Sequence, residues 1–314
     1  MEDKIEDIKK ALNQFPQIKQ VIGEEQIVTL AKKEPTNTLI AYLEKTFIDE
    51  KTNQKLQGLL EALKKEPNDI GALFILDYYL RPYFTLRHLD NCLGPIAKEP
   101  HLGVSLSHLL ESKSYWQGYS EIEVASYLKK KFGKIILEPT LKNGKSVDMT
   151  YNYNKQDYFV EVTAPKSHYK YLAKMEESAQ NRKAVKLDDS TPRASEKILT
   201  EVEHFKGILD ETKSIIILNV NGSEFDETEV EDCLLGISSL VILKNTKTGQ
   251  FMGTKVVRAP WTAFEADADL KKIGIVMTYK RDFAVPNGAV NFTKKIFVIA
   301  LKEEDAKPLE DILI

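Results

Sequence analysis

The stretch Tyr158-Phe159-Val160-Glu161-Val162-Thr163 places one acidic side chain inside an apolar run of strand-forming residues. In an extended strand successive side chains point to opposite faces, so Phe159, Glu161 and Thr163 share one face. A carboxylate in apolar surroundings costs free energy unless a positive group compensates it, and a divalent cation shared with a second carboxylate can do so. The stretch therefore predicts a strand that presents Glu161 to a metal ion.

The second carboxylate in this prediction is Asp148. If residues 146–152 and 157–163 form an antiparallel hairpin closed by the polar turn Tyr153-Asn154-Lys155-Gln156, Asp148 lies directly opposite Glu161. Side chains that face each other in such a pair are roughly 5 Å apart at Cβ, which is close enough to share one metal ion. Asp148 and Glu161 are therefore the predicted metal ligands.

A helical segment that carries further glutamates precedes the hairpin. Apolar residues follow Glu121 at i+3, i+4 and i+7, so Glu121 lies at the margin of the helix face that packs on the sheet, whereas Glu123 lies off that face. Glu121 is therefore the candidate third acidic residue of the site. The alternative is an ordinary solvated glutamate near a helix start, where negative charge suits the helix dipole.

Three short motifs follow one another along the chain: Ser120-Glu121-Ile122-Glu123-Val124-Ala125-Ser126-Tyr127-Leu128, Lys145-Ser146-Val147-Asp148 and Phe159-Val160-Glu161-Val162-Thr163. Their order and spacing resemble the PD-(D/E)XK nuclease superfamily of restriction, repair and junction-resolving enzymes. The resemblance covers about residues 120–220, where the predicted order of helix, three strands, helix and strand is the core order of that superfamily. It implies an α+β or α/β domain with a restriction-endonuclease-like mixed sheet flanked by helices.

The same resemblance implies a function. Asp148 and Glu161 would hold Mg²⁺ or Mn²⁺, Glu121 would assist, and the activity would be hydrolysis of phosphodiester bonds. The substrate that it implies is nucleic acid, with DNA ahead of RNA.

The chain departs from the superfamily pattern at Thr163, where those nucleases usually have a lysine two residues after the glutamate. Thr163 carries no charge that could orient a water or stabilise a phosphate, although its hydroxyl can hold a water. Two lysines offer a replacement: Lys166, just after the strand end, and Lys197 on the next helix. The alternative is a nuclease-like fold that has lost catalysis and binds nucleic acid or a protein partner.

A second departure lies on the helix that is predicted around residues 193–209. An apolar stripe of this helix faces inward, which leaves Glu201 and His204 on flanking rows. Members of the PD-(D/E)XK superfamily often carry lysine and glutamine around these positions.

Segment 166–186 is rich in basic residues and has two tyrosines between them. The candidate nucleic-acid-binding residues in it are Lys170, Lys174, Arg182 and Lys183. Such a run can grip phosphates and stack bases. The alternative is a solvent-exposed segment whose basic residues have no binding role.

Composition sets outer bounds on the class of protein. The chain has 314 residues, enough for two domains, with 42% hydrophobic and 29% charged residues. Its apolar runs are strand-length and its N-terminus lacks the features of a signal peptide, so we expect no membrane span and a cytoplasmic location. The net charge of −3 argues against a protein that covers nucleic acid as histones do, but it is compatible with a local basic groove. The five histidines are scattered without zinc-ligand spacing, which favours a hard cation bound by oxygen ligands.

The pattern along the chain predicts two domains. Residues 1–115 have helical periodicity and form the predicted helical domain, and residues 116–314 form the predicted nuclease-like domain. Lys-Lys-Glu-Pro at 32–35 returns at 64–67, and as Ala-Lys-Glu-Pro at 97–100, which fits either helical-hairpin repeats or chance reuse of a helix boundary. A homo-oligomer, or a protein partner bound through the helical domain, is a further hypothesis.

Overall fold

The computed structural model describes residues 2–46, 50–66, 69–164, 191–209, 213–220, 229–230, 232, 234, 237–244, 248–249, 251–259, 272–284 and 291–300. Within these residues the fold belongs to the α+β class, with helices concentrated before residue 133 and most strands after it. None of the described helices combines the length and hydropathy that crossing a bilayer requires.

The helices pack as a layer beside a mixed sheet. Their bounds are α1 Glu2–Leu12, α2 Pro16–Ile22, α3 Glu24–Lys33, α4 Thr38–Thr46, α5 Glu50–Lys65, α6 Ile70–Ile96, α7 Leu102–Leu110, α8 Tyr115–Phe132 and α9 Thr191–Val202, and a 3-10 turn, Glu203–Phe205, continues α9. The Lys-Lys-Glu-Pro copies lie at the ends of α3 and α5, and the third copy follows the end of α6. These three helices differ in length (10, 16 and 27 residues).

The described strands form one six-stranded sheet and one two-stranded sheet. Their bounds are β1 Ile135–Leu137, β2 Met149–Tyr153, β3 Gln156–Thr163, β4 Lys213–Asn219, β5 Ile237–Lys244, β6 Phe251–Ala259, β7 Ile275–Ala284 and β8 Asn291–Ala300. The large sheet has the order β1-β2-β3-β4-β7-β8, and β5 and β6 form the two-stranded sheet. β1, β2 and β3 are antiparallel neighbours, whereas β4 runs parallel to both β3 and β7. The chain passes through α9 between β3 and β4, as a parallel connection requires.

Alternate residues of the central strands enter two different cores. On β4, Ile215 and Ile217 pack with α8 and the N-terminal helices, while Ile216 and Leu218 pack with α9. The first core contains residues from both sides of position 115, so N-terminal helices and one sheet face share a continuous apolar interior. The boundary between the two domains stays a prediction.

Helix α8 is buried on two sides because the sheet covers one face while α6 and α7 cover the other. It approaches α7 most closely at Gly118, where an added Cβ would lie 2.4 Å from the backbone nitrogen of Leu109. The helix ends at Gly133, whose φ of 76° is readily adopted only by glycine. This double burial explains why Glu123 is buried, although it lies off the sheet-facing stripe.

The β2–β3 hairpin has the predicted register. Asn152 pairs with Asp157 across a turn whose central residues, Asn154 and Lys155, have φ of 50° and 65°. Positive φ at both central residues is the geometry of a two-residue turn that matches strand twist. The paired positions end at Met149, so Asp148 is the first residue beyond the ladder, in line with Glu161.

Candidate metal centre

Glu161 lies near the end of β3, on the face that α9 covers. It is only 5% exposed, and its neighbours in the strand, Val160 and Val162, point into the opposite core. Its Oε1 lies 3.3 Å from Nδ1 of His204, whereas its Oε2 accepts no hydrogen bond from any described residue. A buried carboxylate oxygen without a donor is costly, and a cation would relieve that cost.

Helix α9 and its 3-10 extension bring two further ligand atoms to Glu161. Glu201 is 5% exposed and His204 follows it by one helical turn, so both side chains project to the same side. Ligand atoms of Glu161, Glu201 and His204 all lie within 4.8 Å of one another. This group could therefore hold a metal ion, and its imidazole is partly exposed to solvent.

The loop before β2 fixes the end of α9 over the sheet. The Asn143 side-chain amide donates to the carbonyl oxygens of His204 and Lys206, at 3.0 and 2.9 Å. Lys145 donates through Nζ to the carbonyl oxygen of Glu203. The carbonyl oxygen of Ser146 lies 3.2 Å from Nδ1 of His204. These contacts hold the His204 ring beside Glu161.

Asp148 lies beside this group without belonging to it. Its Oδ2 accepts a hydrogen bond of 2.7 Å from the backbone N–H of Val162. Burial raises the pKa of the Asp148 carboxyl well above its ordinary value, and the charge of Glu121 raises it further, against the opposing effect of the Val162 hydrogen bond. Burial likewise raises the pKa of Glu161, and the charges of Asp148 and Glu201 add to the effect. Several carboxylates thus converge at a place where ionisation is disfavoured. A divalent cation would offset the free-energy cost of ionising them.

Glu121 lies on the other side of Asp148 and is held by two polar side chains. His108 Nδ1 is 2.9 Å from Glu121 Oε1, and Gln117 donates to the same oxygen at 2.7 Å. The hydrogen bond with Glu121 raises the pKa of His108, while burial of the ring opposes that rise. Gln117 also donates to the carbonyl oxygen of Val162 and accepts from the N–H of Ala164. Glu121 and the end of β3 are therefore tied together through Gln117.

The structure brings three of the predicted site residues, Glu121, Asp148 and Glu161, to one end of the β2–β3 hairpin. Thr163 is 1% exposed, and its hydroxyl has no hydrogen-bond partner among the described residues. The remaining predicted site residues, all basic, lie outside the described residues: Lys166, Lys170, Lys174, Arg182 and Lys183.

Sequence reasoning did not identify Glu201 and His204 as metal ligands. The sequence does contain a signal, because Glu-x-x-His on a helix is a known way to present two ligands to one ion. This signal contains no histidine pair at zinc-ligand spacing, because its one imidazole joins two glutamates. Lys197 was considered only as a replacement lysine, and it forms a 2.5 Å ion pair with Glu201.

A scan against protein-family models finds no match to this chain, and searches of curated proteins and of solved structures find none either.

Proposed function

We propose that this chain hydrolyses phosphodiester bonds of nucleic acid, with DNA ahead of RNA, at a divalent metal ion held by Glu161 and its neighbours. The observation that carries the proposal is the convergence of Asp148, Glu161 and Glu201 at one strand end, where burial raises the pKa of both Asp148 and Glu161. Carboxylates arranged in this way are common where metal-assisted hydrolysis takes place.

The element order supports a restriction-endonuclease-like domain. Helix α8 is followed by β1, β2 and β3, then by α9 and β4, and this is the order implied by the resemblance to the PD-(D/E)XK superfamily. The antiparallel β1-β2-β3 unit that continues into the parallel β4 agrees with a mixed sheet covered by helices. In this proposal Asp148 and Glu161 correspond to the acidic motif residues of that superfamily.

In the proposed reaction Glu161, Glu201 and His204 surround the position of the ion, and Asp148 lies beside them. An ion bound there, Mg²⁺ or Mn²⁺, would acidify a water and neutralise charge on the scissile phosphate. Glu161 would turn its unpartnered Oε2 to the ion. Glu121, oriented by Gln117, would act from the other side of Asp148.

Lys197 is the better supported replacement for the missing lysine at Thr163. It lies one helical turn before Glu201 and pairs with that carboxylate, so its ammonium group is already at the site. A positive charge in this place could stabilise the phosphate during cleavage. Lys166 lies outside the described residues and stays a sequence-based hypothesis.

The second candidate function is a binding module without catalysis. It is favoured by Thr163, which is buried and uncharged where the superfamily has its lysine. It is also favoured by the pairing of Lys197 with Glu201, which neutralises the nearest described substitute. Such a module would bind nucleic acid or a protein partner and leave it intact.

A cleavage assay tests the proposal. Purified chain is incubated with labelled single- and double-stranded DNA and RNA in Mg²⁺, Mn²⁺ or EDTA. We expect metal-dependent cleavage that falls by roughly two orders of magnitude in Glu161→Gln. The matched control is Glu196→Gln, an exposed glutamate on the same helix as Glu201.

The outcomes separate the two candidates. Binding of nucleic acid without cleavage under every metal condition would favour the inactive module. Cleavage that Glu161→Gln leaves unchanged would contradict the proposed site.

A further inference from the structure

We propose that His204 makes this site select divalent transition ions of the Mn²⁺ and Zn²⁺ class over Mg²⁺. The inference rests on the proposed function for the presence of a metal, but not on cleavage of any substrate. It begins from the composition of the group: two buried carboxylates, Glu161 and Glu201, and one imidazole.

The spacing of the ligand atoms agrees with a small ion between them. With metal–ligand bonds of about 2.1 Å, neighbouring ligand atoms in a tetrahedral or octahedral shell lie about 3.0–3.4 Å apart. Glu161 Oε1 and His204 Nδ1 are 3.3 Å apart, and Nδ1 would bind the ion as the unprotonated nitrogen, giving up its contact with the carbonyl oxygen of Ser146. Ligand atoms of the full group, Glu201 included, lie within 4.8 Å of one another.

At this end of β3 two buried oxygens lack a hydrogen-bond partner among the described residues, and a bound cation would supply one. Glu161 is 5% exposed, and its Oε2 has no hydrogen-bond donor among the described residues. Thr163 lies two residues further along the same strand face, is 1% exposed, and also lacks a partner in the described part of the chain. A cation with a coordinated water would satisfy both oxygens.

The imidazole determines which cation fits. Mg²⁺ prefers a nearly octahedral shell of oxygen atoms and keeps several waters, whereas imidazole nitrogen suits Zn²⁺ and other transition ions. Mn²⁺ accepts carboxylate oxygen. Affinity for a site of nitrogen and oxygen ligands generally rises along the first transition row from Mn²⁺ to Cu²⁺. One nitrogen beside two carboxylates is therefore a transition-metal donor set.

His204 is also held so that its ring stays at the site. The Asn143 amide binds the His204 carbonyl oxygen, and Lys145 binds the preceding carbonyl oxygen of Glu203. Since these hydrogen bonds fix the backbone at Glu203 and His204, the imidazole is already in position before an ion binds. A positioned ligand contributes more to affinity than one that must first be ordered.

Isothermal titration calorimetry on the full, chelator-stripped chain tests this inference with Mn²⁺, Zn²⁺ and Mg²⁺ as separate titrants. We expect wild type to bind Mn²⁺ and Zn²⁺ at least about tenfold more tightly than Mg²⁺. His204→Asn should weaken Mn²⁺ and Zn²⁺ binding by at least about tenfold while changing Mg²⁺ binding much less, because an amide oxygen replaces the nitrogen.

The control variant is His101→Asn. His101 is exposed and has a φ of 65°, a backbone conformation that asparagine tolerates. It should bind all three ions as wild type does. Circular dichroism spectra and melting curves establish that each variant is folded.

Equal affinity for Mg²⁺ and Mn²⁺ in wild type would overturn the inference, as would an unchanged Mn²⁺ preference in His204→Asn. Absence of any metal binding would overturn it together with the proposed function. Selective Mn²⁺ or Zn²⁺ binding without cleavage would uphold this inference and contradict only the nuclease proposal.

Discussion

Replacing Glu161 with glutamine should stabilise the metal-free protein and remove its stabilisation by metal. The pKa of Glu161 is raised above its ordinary value of 4.5 in the folded state. A group of this kind stabilises the fold fully below its unfolded pKa, and that contribution is lost as pH rises through the folded pKa. At neutral pH the ionised carboxylate is therefore a cost that the neutral amide avoids.

The size of the effect follows from the spacing of the charges. Two unit charges 4.8 Å apart repel by about 3.5 kcal/mol at an effective dielectric constant of 20, and Glu161 and Glu201 lie within that distance. The ammonium group of Lys197, which pairs with Glu201, offsets part of this repulsion, so we expect a net gain of about 1–2 kcal/mol. Each kcal/mol corresponds to a rise in Tm of about 2–4 °C for a chain of this size class.

Thermal unfolding measured by circular dichroism, in EDTA and in millimolar Mn²⁺, provides the assay. Wild type should gain about 2.7 kcal/mol when the free ion is at a hundred times its Kd, and Glu161→Gln should gain almost nothing. The control Glu196→Gln should behave as wild type, because Glu196 is exposed on α9. A metal-free Glu161→Gln protein that melts below wild type would show that the ionised Glu161 carboxylate is no cost to the fold, and a variant that keeps the full metal shift would show that Glu161 does not bind the ion.

Three further predictions concern the packing of α8 on α7, the role of Lys197 and the basic segment. Gly118→Ala should lower stability by about 1–3 kcal/mol in chemical denaturation, because the new Cβ would meet the α7 backbone at 2.4 Å; an unchanged midpoint would show that α7 can move. Lys197→Met should reduce cleavage by roughly two orders of magnitude without weakening metal binding, and an unchanged rate constant would exclude Lys197 as the replacement lysine. Joint replacement of Lys170, Lys174 and Lys183 by alanine should weaken nucleic-acid binding and make its salt dependence shallower, measured by fluorescence anisotropy; an unchanged slope would assign this segment to solvent.

The hairpin was predictable from sequence because its determinants are local. Alternation of side chains sets which residues of β3 face each core, and a one-residue slip would move Glu161 to the wrong face. The two-residue turn at Asn154 and Lys155 then fixes the register that puts Asp148 in line with Glu161. Helix α8 was likewise predictable, because apolar residues follow Glu121 at i+3, i+4 and i+7.

The ligands on α9 were not predictable in the same way. Glu201 and His204 are 40 or more positions from Glu161 along the sequence, and only the packing of α9 on the sheet brings them together. Helical periodicity correctly placed them beside the apolar stripe, but it could not determine which strand they would meet. The same limit applies to Glu123, whose burial against His88 at 3.2 Å depends on where α6 packs.

The most direct test of the account is X-ray diffraction from crystals soaked in Mn²⁺, with data collected for anomalous scattering by manganese. The account predicts an anomalous peak between Glu161, Glu201 and His204, within about 2.3 Å of at least one carboxylate oxygen and of an imidazole nitrogen. The same crystals of Glu161→Gln should lack that peak. Well-ordered side chains at this site without an anomalous peak, at Mn²⁺ concentrations that saturate other sites on the protein, would contradict the metal centre and the hydrolysis proposed from it.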